Sequence, residues 1–302
     1  MFKITIGIPA YNEQNNIGNL ISDLKAQKAV NFLIERVLIV SDGSSDSTVN
    51  IALKAKWRIV RVVQGKNRLG KAQRMNEIIK NTNSDILVLL DADIRIKDNN
   101  FIEKIIKPIR LGQADLTSAD IQEVPQESFF AKVIAFGMNY KRQVFNTYKS
   151  GTNFFTCHGT ARAFSRPLYK SISFFGSVGE DLYSYLFAIS NGFRYKFVPE
   201  AVLFYKLPEN LSDHHKQSSR FFSSQKIMED NLGREFVVEQ TKWPKFRFII
   251  YGIKLAVKYP VYSFAYQAIT LFLVLKSKIN DQSSLIDLWK VARSSKNVDK
   301  QI

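Results

Sequence analysis

Short, unbroken apolar runs alternate with helix-spaced segments along the N-terminal part of the chain. The runs fall near 3–8, 36–41, 58–63 and 85–90. Each is too short for a typical helix and too continuous for a strand wetted on one face, so they predict strands buried on both faces. Between the first two, Ile17, Leu20, Ile21 and Leu24 recur at the spacing of a helix with one apolar face, predicted over about 14–28. Strands and helices in this order predict an α/β chain with a parallel sheet and right-handed crossovers. Beyond Asp93 the alternation becomes less regular, and no internal repeat is visible.

The polar residues that end these strands carry the chemistry. The first run passes through Pro9, Ala10 and Tyr11 to Glu13. The second breaks at Ser41, Asp42 and Gly43 into a turn whose Ser45 or Asp46 is the expected helix N-cap. The run at 86–90 ends in Asp91, Ala92 and Asp93. In a parallel sheet these acids converge on one crevice at the carboxyl ends of the strands, where open α/β folds bind ligands. Two carboxylates one residue apart repel unless a cation or a metal–polyphosphate complex lies between them. Mg²⁺ or Mn²⁺, which prefer oxygen ligands, suit such a pair.

At these residues the chain resembles the inverting glycosyltransferases of family 2, which have the GT-A fold. Ile-Pro-Ala-Tyr-Asn-Glu at 8–13, Ser-Asp-Gly-Ser-Ser-Asp at 41–46 and Asp-Ala-Asp at 91–93 occur in the family's order and near its spacings. The resemblance covers about residues 3–221. It implies that Pro9, Ala10, Tyr11 and Glu13 cradle a nucleoside, that Asp42 reads the base, and that Asp91 contacts the ribose–diphosphate. Asp93, with Asp91, would hold Mg²⁺ or Mn²⁺. The residue chemistry agrees, since Tyr11 offers a stacking face and carboxylates accept base N–H and ribose O–H bonds.

Further segments extend the resemblance. Gly65 to Asn76 places cations beside a predicted helix start, a natural anion site, and the family's similar Gly-Lys-Ala segment makes Lys71 a phosphate contact. Arg74 on the same helix reads equally as solvated. Phe154 to Thr160 looks like the family's acceptor segment but departs from it at Thr156 and His158; His158 reads as a sugar contact or as a packed strand-end histidine. Glu180 and Asp181 match the family's Glu-Asp pair, which implies Asp181 as general base with Glu180 as its neighbour. Gln217, Arg220 and Phe221 resemble the Gln-x-x-Arg-Trp motif of processive cellulose-, chitin- and hyaluronan-type synthases, with Phe in place of Trp. Gln and Arg at i and i+3 share a helix face, so Gln217 would position a hydroxyl while Arg220 reaches a diphosphate.

Composition changes the picture in two ways. The single cysteine, Cys157, excludes an internal disulfide framework and reads as a small packed residue. With no evident signal peptide, the catalytic part is expected on the cytoplasmic side of the cell membrane. The formal net charge is +16, and residues 241–302 alone hold 11 Lys/Arg against three Asp. No DNA-reading helix, zinc spacing or ribonucleoprotein-type motif accompanies this charge, so an anionic membrane surface is the expected partner rather than nucleic acid. Within 246–258, Arg247, Tyr251, Lys254 and Lys258 form one basic-aromatic stripe of an interfacial helix. The uncharged run 259–275 is marginal for a span, which needs about 20 residues. Packing of both helices on the catalytic part is the alternative.

The expectation is therefore a GT-A catalytic domain over 1–232 with a mainly parallel central sheet and a C-terminal helical, membrane-associated region over 233–302. Residues 1–93 would bind the nucleotide sugar and 94–232 the acceptor. The expected activity is inverting hexosyl or N-acetylhexosaminyl transfer from a UDP-sugar to a saccharide or lipid-linked acceptor, with a separate channel partner left open. A catalytically silent scaffold binding anionic lipid or polymer is the rival. It gives no physical reason to keep Asp42, Asp91, Asp93 and Asp181 together. A sugar nucleotidyltransferase would need a Gly-rich basic loop after the first strand, and Pro9 to Glu13 does not supply one.

Overall fold

The computed structural model describes residues 1–175, 179–279, 293–296 and 298, without the side chains of 216, 218–226, 276–279 and 293. The N-terminal part alternates as its pattern predicts: β1 (Phe2–Ala10), α1 (Ile17–Lys25), β2 (Phe32–Ser41), α2 (Thr48–Lys54), β3 (Val60–Gln64), α3 (Lys71–Lys80) and β4 (Ile86–Leu90). β1 pairs in parallel with β2 and β4, and β2 with β3. The continuous apolar runs are explained by helices on both faces. Ile86, Val88 and Leu90 enter one core cluster, while Leu87 and Leu89 enter the other. Gly7 in β1 is required by packing, because a Cβ there would lie 2.4 Å from the Ile78 side chain of α3.

The second half adds β5 (Ile94–Arg95), α4 (Phe101–Arg110), β6 (Leu116–Glu123), α5 (Phe129–Thr147), β7 (Ala161–Ser165), α6 (Arg166–Ser171), α7 (Glu180–Ser190) and β8 (Tyr195–Tyr205). The sheet runs in the order β3-β2-β1-β4-β7-β6-β8-β5. It is mixed, with four of its seven pairings among the described residues parallel: β6 also runs parallel to β8, while β7 is antiparallel to β4 and β6, and β5 to β8. The cause is local. Residues 148–156 form two short 3₁₀ turns that deliver the chain to the carboxyl end of β4, so Ala161 pairs with Leu90 and β7 runs back. That reversal sets Gly159 and Thr160 beside the Asp91 turn, where Asp91 N–H donates to the Thr160 carbonyl at 2.9 Å.

Four α-helices follow, α8 (Leu211–Leu232), α9 (Arg234–Gln240), α10 (Lys245–Lys258) and α11 (Pro260–Ile279), and a short 3₁₀ turn covers Arg293–Ser295. Val237 of α9 is fully buried in the second core cluster. α10 and α11 pack on α5, where the Tyr140 hydroxyl donates to the Phe248 carbonyl. A Cβ at Gly137 would fall 1.9 Å from the Tyr266 ring, so glycine is what lets α11 close on α5. Tyr251 leaves the expected basic-aromatic stripe and turns with Phe248 toward the core. Arg247, Lys254 and Lys258 stay outside, beside an exposed row of Phe246, Ile249, Ile253 and Val257. Among the described residues no helix is long and apolar enough to cross a membrane.

Candidate active site

A cavity of 390 Å³ opens at the carboxyl ends of β1, β2 and β4. It is lined by Pro9, Ala10, Tyr11 and Glu13 after β1, Asp42 after β2, and Asp91, Ala92 and Asp93 after β4. Lys71 and Arg74 of α3, Glu180 and Asp181 of α7, and Gln217 of α8 line it too. Gln217 is exposed, and the side chains of Arg220 and Phe221 lie outside the described residues.

Asp42 is held from three directions. It accepts from the backbone N–H of Leu69 (2.7 Å) and Gly70 (2.9 Å) and from Arg74 Nε (2.8 Å). Gly70 opens α3 with φ +94°, a left-handed value that favours glycine. Arg74 is buried rather than solvated, and it also pairs with Glu77 at 2.7 Å. The sequence placed Asp42 against a base; the structure gives it the further task of fixing the 65–70 loop. Asp46 accepts from Thr48 N–H at 3.0 Å, although Ser47 occupies the N-cap position of α2.

Lys71 bridges Asp91 Oδ1 at 2.6 Å and Glu180 Oε1 at 2.5 Å, tying the β4 turn to the start of α7. Burial alone would depress its ammonium pKa, but the two carboxylates outweigh it and hold the pKa above the usual lysine value. Breaking such a buried pair by removing one partner costs about 3–5 kcal/mol. Asp91 is raised to about 6, by burial first, with Lys71 pulling down and Asp93 and Glu180 pushing up.

Glu180 and Asp181 are neighbours with opposite surroundings. Burial would raise Glu180, yet Lys71 and Arg162 outweigh it and hold that carboxyl below its ordinary value. Asp181 is raised, by burial and then by Glu180. Arg162, fully buried in β7, steadies the helix start by donating to the Glu180 carbonyl (2.7 Å) and Ser184 Oγ (2.5 Å). A Cβ on Gly159 would sit 3.3 Å from Asp181 Cβ, so glycine keeps this approach open. The pair therefore divides into an ion-paired carboxylate and one with raised proton affinity, the pattern of acid–base sites.

Among the described residues Asp93 makes no hydrogen bond or ion pair, and it raises the pKa of both Glu13 and Asp91. Its half-buried carboxylate fits one ligand position of a divalent cation. No three His, Cys, Asp or Glu side chains among the described residues are placed to hold an ion by themselves. That suits a cation completed by phosphate oxygens and water, the usual arrangement for Mg²⁺.

Several lining residues were not singled out in the sequence. Arg68 stacks its guanidinium 4.2 Å from the Tyr11 ring centre, and Lys206 follows β8 and pairs with Glu209 at 2.7 Å. Lys296 comes from far along the chain and leaves no motif. Arg162, fully buried behind the lining, had a signal: a cation inside a short buried strand without other charges. His158 is not a lining residue; burial and then Arg142 push it down to about 4. Cys157 is buried, its thiol pushed up to about 12, as a packed residue should be.

The model of the family described as glycosyl transferase family 2 matches residues 5–173. An uncharacterized protein of Methanocaldococcus jannaschii is 27% identical over 210 residues, 65% of this chain and 80% of that protein. A poly-beta-1,6-N-acetyl-D-glucosamine synthase of Staphylococcus aureus is 26% identical over 230 residues, 72% of this chain; the chain spans 53% of that synthase's length. A mannosyltransferase of Pyrobaculum calidifontis, solved with GDP-Man and Mn²⁺, superposes with TM-score 0.62 at 15% identity, covering 93% of this chain and 88% of that one. Glucosyl-3-phosphoglycerate synthase of Mycobacterium tuberculosis, solved with Mn²⁺, UDP and phosphoglyceric acid, gives 0.54 at 18% identity over 74% and 77% of the two chains. The fold is GT-A, with a mixed sheet.

Proposed function

The chain belongs to glycosyl transferase family 2, and on that premise we propose that it transfers a sugar from a UDP-sugar, with inversion, to a saccharide or lipid-linked acceptor. The observation that carries this reading is the single cavity joining the ends of β1, β2 and β4 to the acidic start of α7. Pro9, Tyr11 and Glu13 cradle the nucleoside, and Asp42 fixes the loop that closes over it. Asp181 takes the proton from the acceptor hydroxyl as that oxygen attacks the anomeric carbon, a role its raised pKa supports. Glu180, ion-paired with Lys71, stays charged beside it and keeps Asp181 basic. Asp93, with Asp91, holds Mg²⁺ or Mn²⁺, which supplies positive charge for the departing diphosphate. Arg220, three residues beyond Gln217 in the sequence, is proposed to pair with the same diphosphate. Structures of the same fold solved with GDP-Man and Mn²⁺, and with UDP and Mn²⁺, support a nucleotide-linked donor and the metal.

The test is turnover by purified protein against a panel of UDP- and GDP-sugars with Mn²⁺, offering short oligosaccharide and polyprenyl-phosphate acceptors. Release of UDP with one donor is expected. A protein that binds no nucleotide and turns over none is the silent scaffold instead.

The outer face of α10 and α11 supports a second part of the proposal, attachment to an anionic membrane surface on the cytoplasmic side. Phe246 (74% exposed), Phe264 (77%) and Val257 (81%) belong to an apolar surface larger than scattered surface residues require. Arg247, Lys254 and Lys258 border it, each contributing about 1 kcal/mol near an anionic leaflet. Flotation with liposomes of graded anionic lipid content should carry the full-length protein upward. Charge reversal at these three positions should weaken binding, with the loss largest at low salt and shrinking as salt screens it. Full-length protein that stays at the bottom at every composition rules attachment out.

A further inference from the structure

Residues 294–296 and 298 return from the far end of the chain to the cavity. Ser294 is anchored on α8, where its N–H (3.1 Å) and Oγ (2.7 Å) donate to Asp213 Oδ2. Its Oγ also accepts from Glu209 N–H at 3.2 Å. Asn16 grips the other side, donating to the Lys296 carbonyl at 2.9 Å and accepting from Val298 N–H at 3.3 Å. Val298 is fully buried. Between these anchors Lys296 reaches inward: Nζ donates to the Tyr11 carbonyl at 2.7 Å and pairs with Glu13 Oε1. Ser295 and Lys296 both line the cavity.

We propose that this segment is a wall of the nucleotide pocket and that Lys296 is a positioning residue for the donor. The inference rests on the donor reading above. Its physical basis is charge and geometry. Among the described residues six carboxylates, Glu13, Asp42, Asp91, Asp93, Glu180 and Asp181, line the cavity with five cations, Arg68, Lys71, Arg74, Lys206 and Lys296. A nucleoside diphosphate adds further negative charge beside these carboxylates. Arg74, Lys71 and Lys206 are engaged by Asp42, Asp91 with Glu180, and Glu209. Lys296 neutralises Glu13, which lies close enough to Asp93 to feel its charge. Removing Lys296 would strip the cation from a buried carboxyl that already resists ionisation, unsettling Glu13 at the cradle, and would free the Tyr11 carbonyl that Lys296 holds. Both effects weaken binding.

Titration calorimetry of UDP and of GDP, each with Mn²⁺, into the full-length protein tests the assignment. The nucleotide that binds wild type should bind Lys296→Met at least about tenfold more weakly, a 1.4 kcal/mol change. Lys296→Arg should recover most of that loss and should melt close to wild type. Ser294→Ala loosens the anchor without touching the cavity and should fall between, carrying the test by itself if Lys296→Met does not fold. Affinity unchanged in Lys296→Met and Ser294→Ala overturns the inference while leaving the donor reading intact. Tighter binding overturns it too, since the segment would then be a plug. Wild-type protein that binds neither nucleotide overturns the donor reading, and this inference with it.

Discussion

Asp181→Asn should lower turnover by about 10²-fold or more while leaving nucleotide affinity nearly unchanged, the usual scale for losing a general base. The substitution is isosteric, and the asparagine oxygen can still accept the Leu182 N–H that Asp181 Oδ1 takes at 2.8 Å. What it loses is the ability to take a proton. In wild type, burial and then Glu180 raise the Asp181 pKa. A base must be unprotonated, so activity should fall as pH drops through a value above the ordinary aspartate range of about 3.9. The variant should lose that acid limb. Single-turnover kinetics across pH, with calorimetry on the same protein, separate the two effects. An active Asp181→Asn enzyme moves the base elsewhere. A product retaining the donor's anomeric configuration by NMR excludes single displacement altogether.

The neighbouring carboxylate cannot exchange roles with Asp181. Glu180 is ion-paired with Lys71 and held below its ordinary pKa by Lys71 and Arg162 against burial. It is therefore a weak base in a fixed position. The asymmetry arises because β7 runs backward: Arg162 enters from that strand, and Gly159 at its approach leaves room beside Asp181.

That reversal also marks where the sequence stops being legible. The parallel half was readable because β1, the end of β2 and β4 are buried on both faces, so an unbroken apolar run and a polar end locate both the element and its site residue, whereas β3 is a half-exposed edge strand. Glu13, Asp42, Asp91 and Asp93 meet in one cavity for that reason. β7, as Ala161–Ser165, carries only a short run with a charge in it, and nothing in that run sets its direction. Its direction depends on where the turns at 148–156 deliver the chain. Arg74 was ambiguous for a related reason, since helical spacing does not reveal that Asp42 waits across the loop. Tyr251 turned inward because the α5 contact, a tertiary choice, selects which face of α10 is covered. Lys296 was beyond reach, because a cation 283 residues from its partner Glu13 leaves no local pattern.

UDP should bind more tightly with Mn²⁺ or Mg²⁺ than with chelator, and Asp93→Asn should remove most of that difference, about tenfold or more in affinity. The reasoning starts from an imbalance. Asp93 projects into a cavity where Glu13 is raised to about 8, by burial and then by Asp93, and where Asp91 is raised to about 6 by burial despite Lys71. Neighbouring carboxylates are each made harder to ionise by the one that has no partner among the described residues. A divalent cation at Asp93 would reverse the sign of that interaction and add favourable charge for the diphosphate oxygens. Asparagine keeps an oxygen ligand but removes the charge, so metal-free binding should change little or improve slightly while the metal-dependent gain disappears. Calorimetry of UDP with Mn²⁺, with Mg²⁺ and with EDTA, on wild type and on Asp93→Asn, resolves the two contributions. Equal affinity with and without metal in the wild type would leave Asp93 without this role. An Asp93→Asn protein that keeps the full metal gain would place the cation on Asp91 or on another oxygen of the cavity.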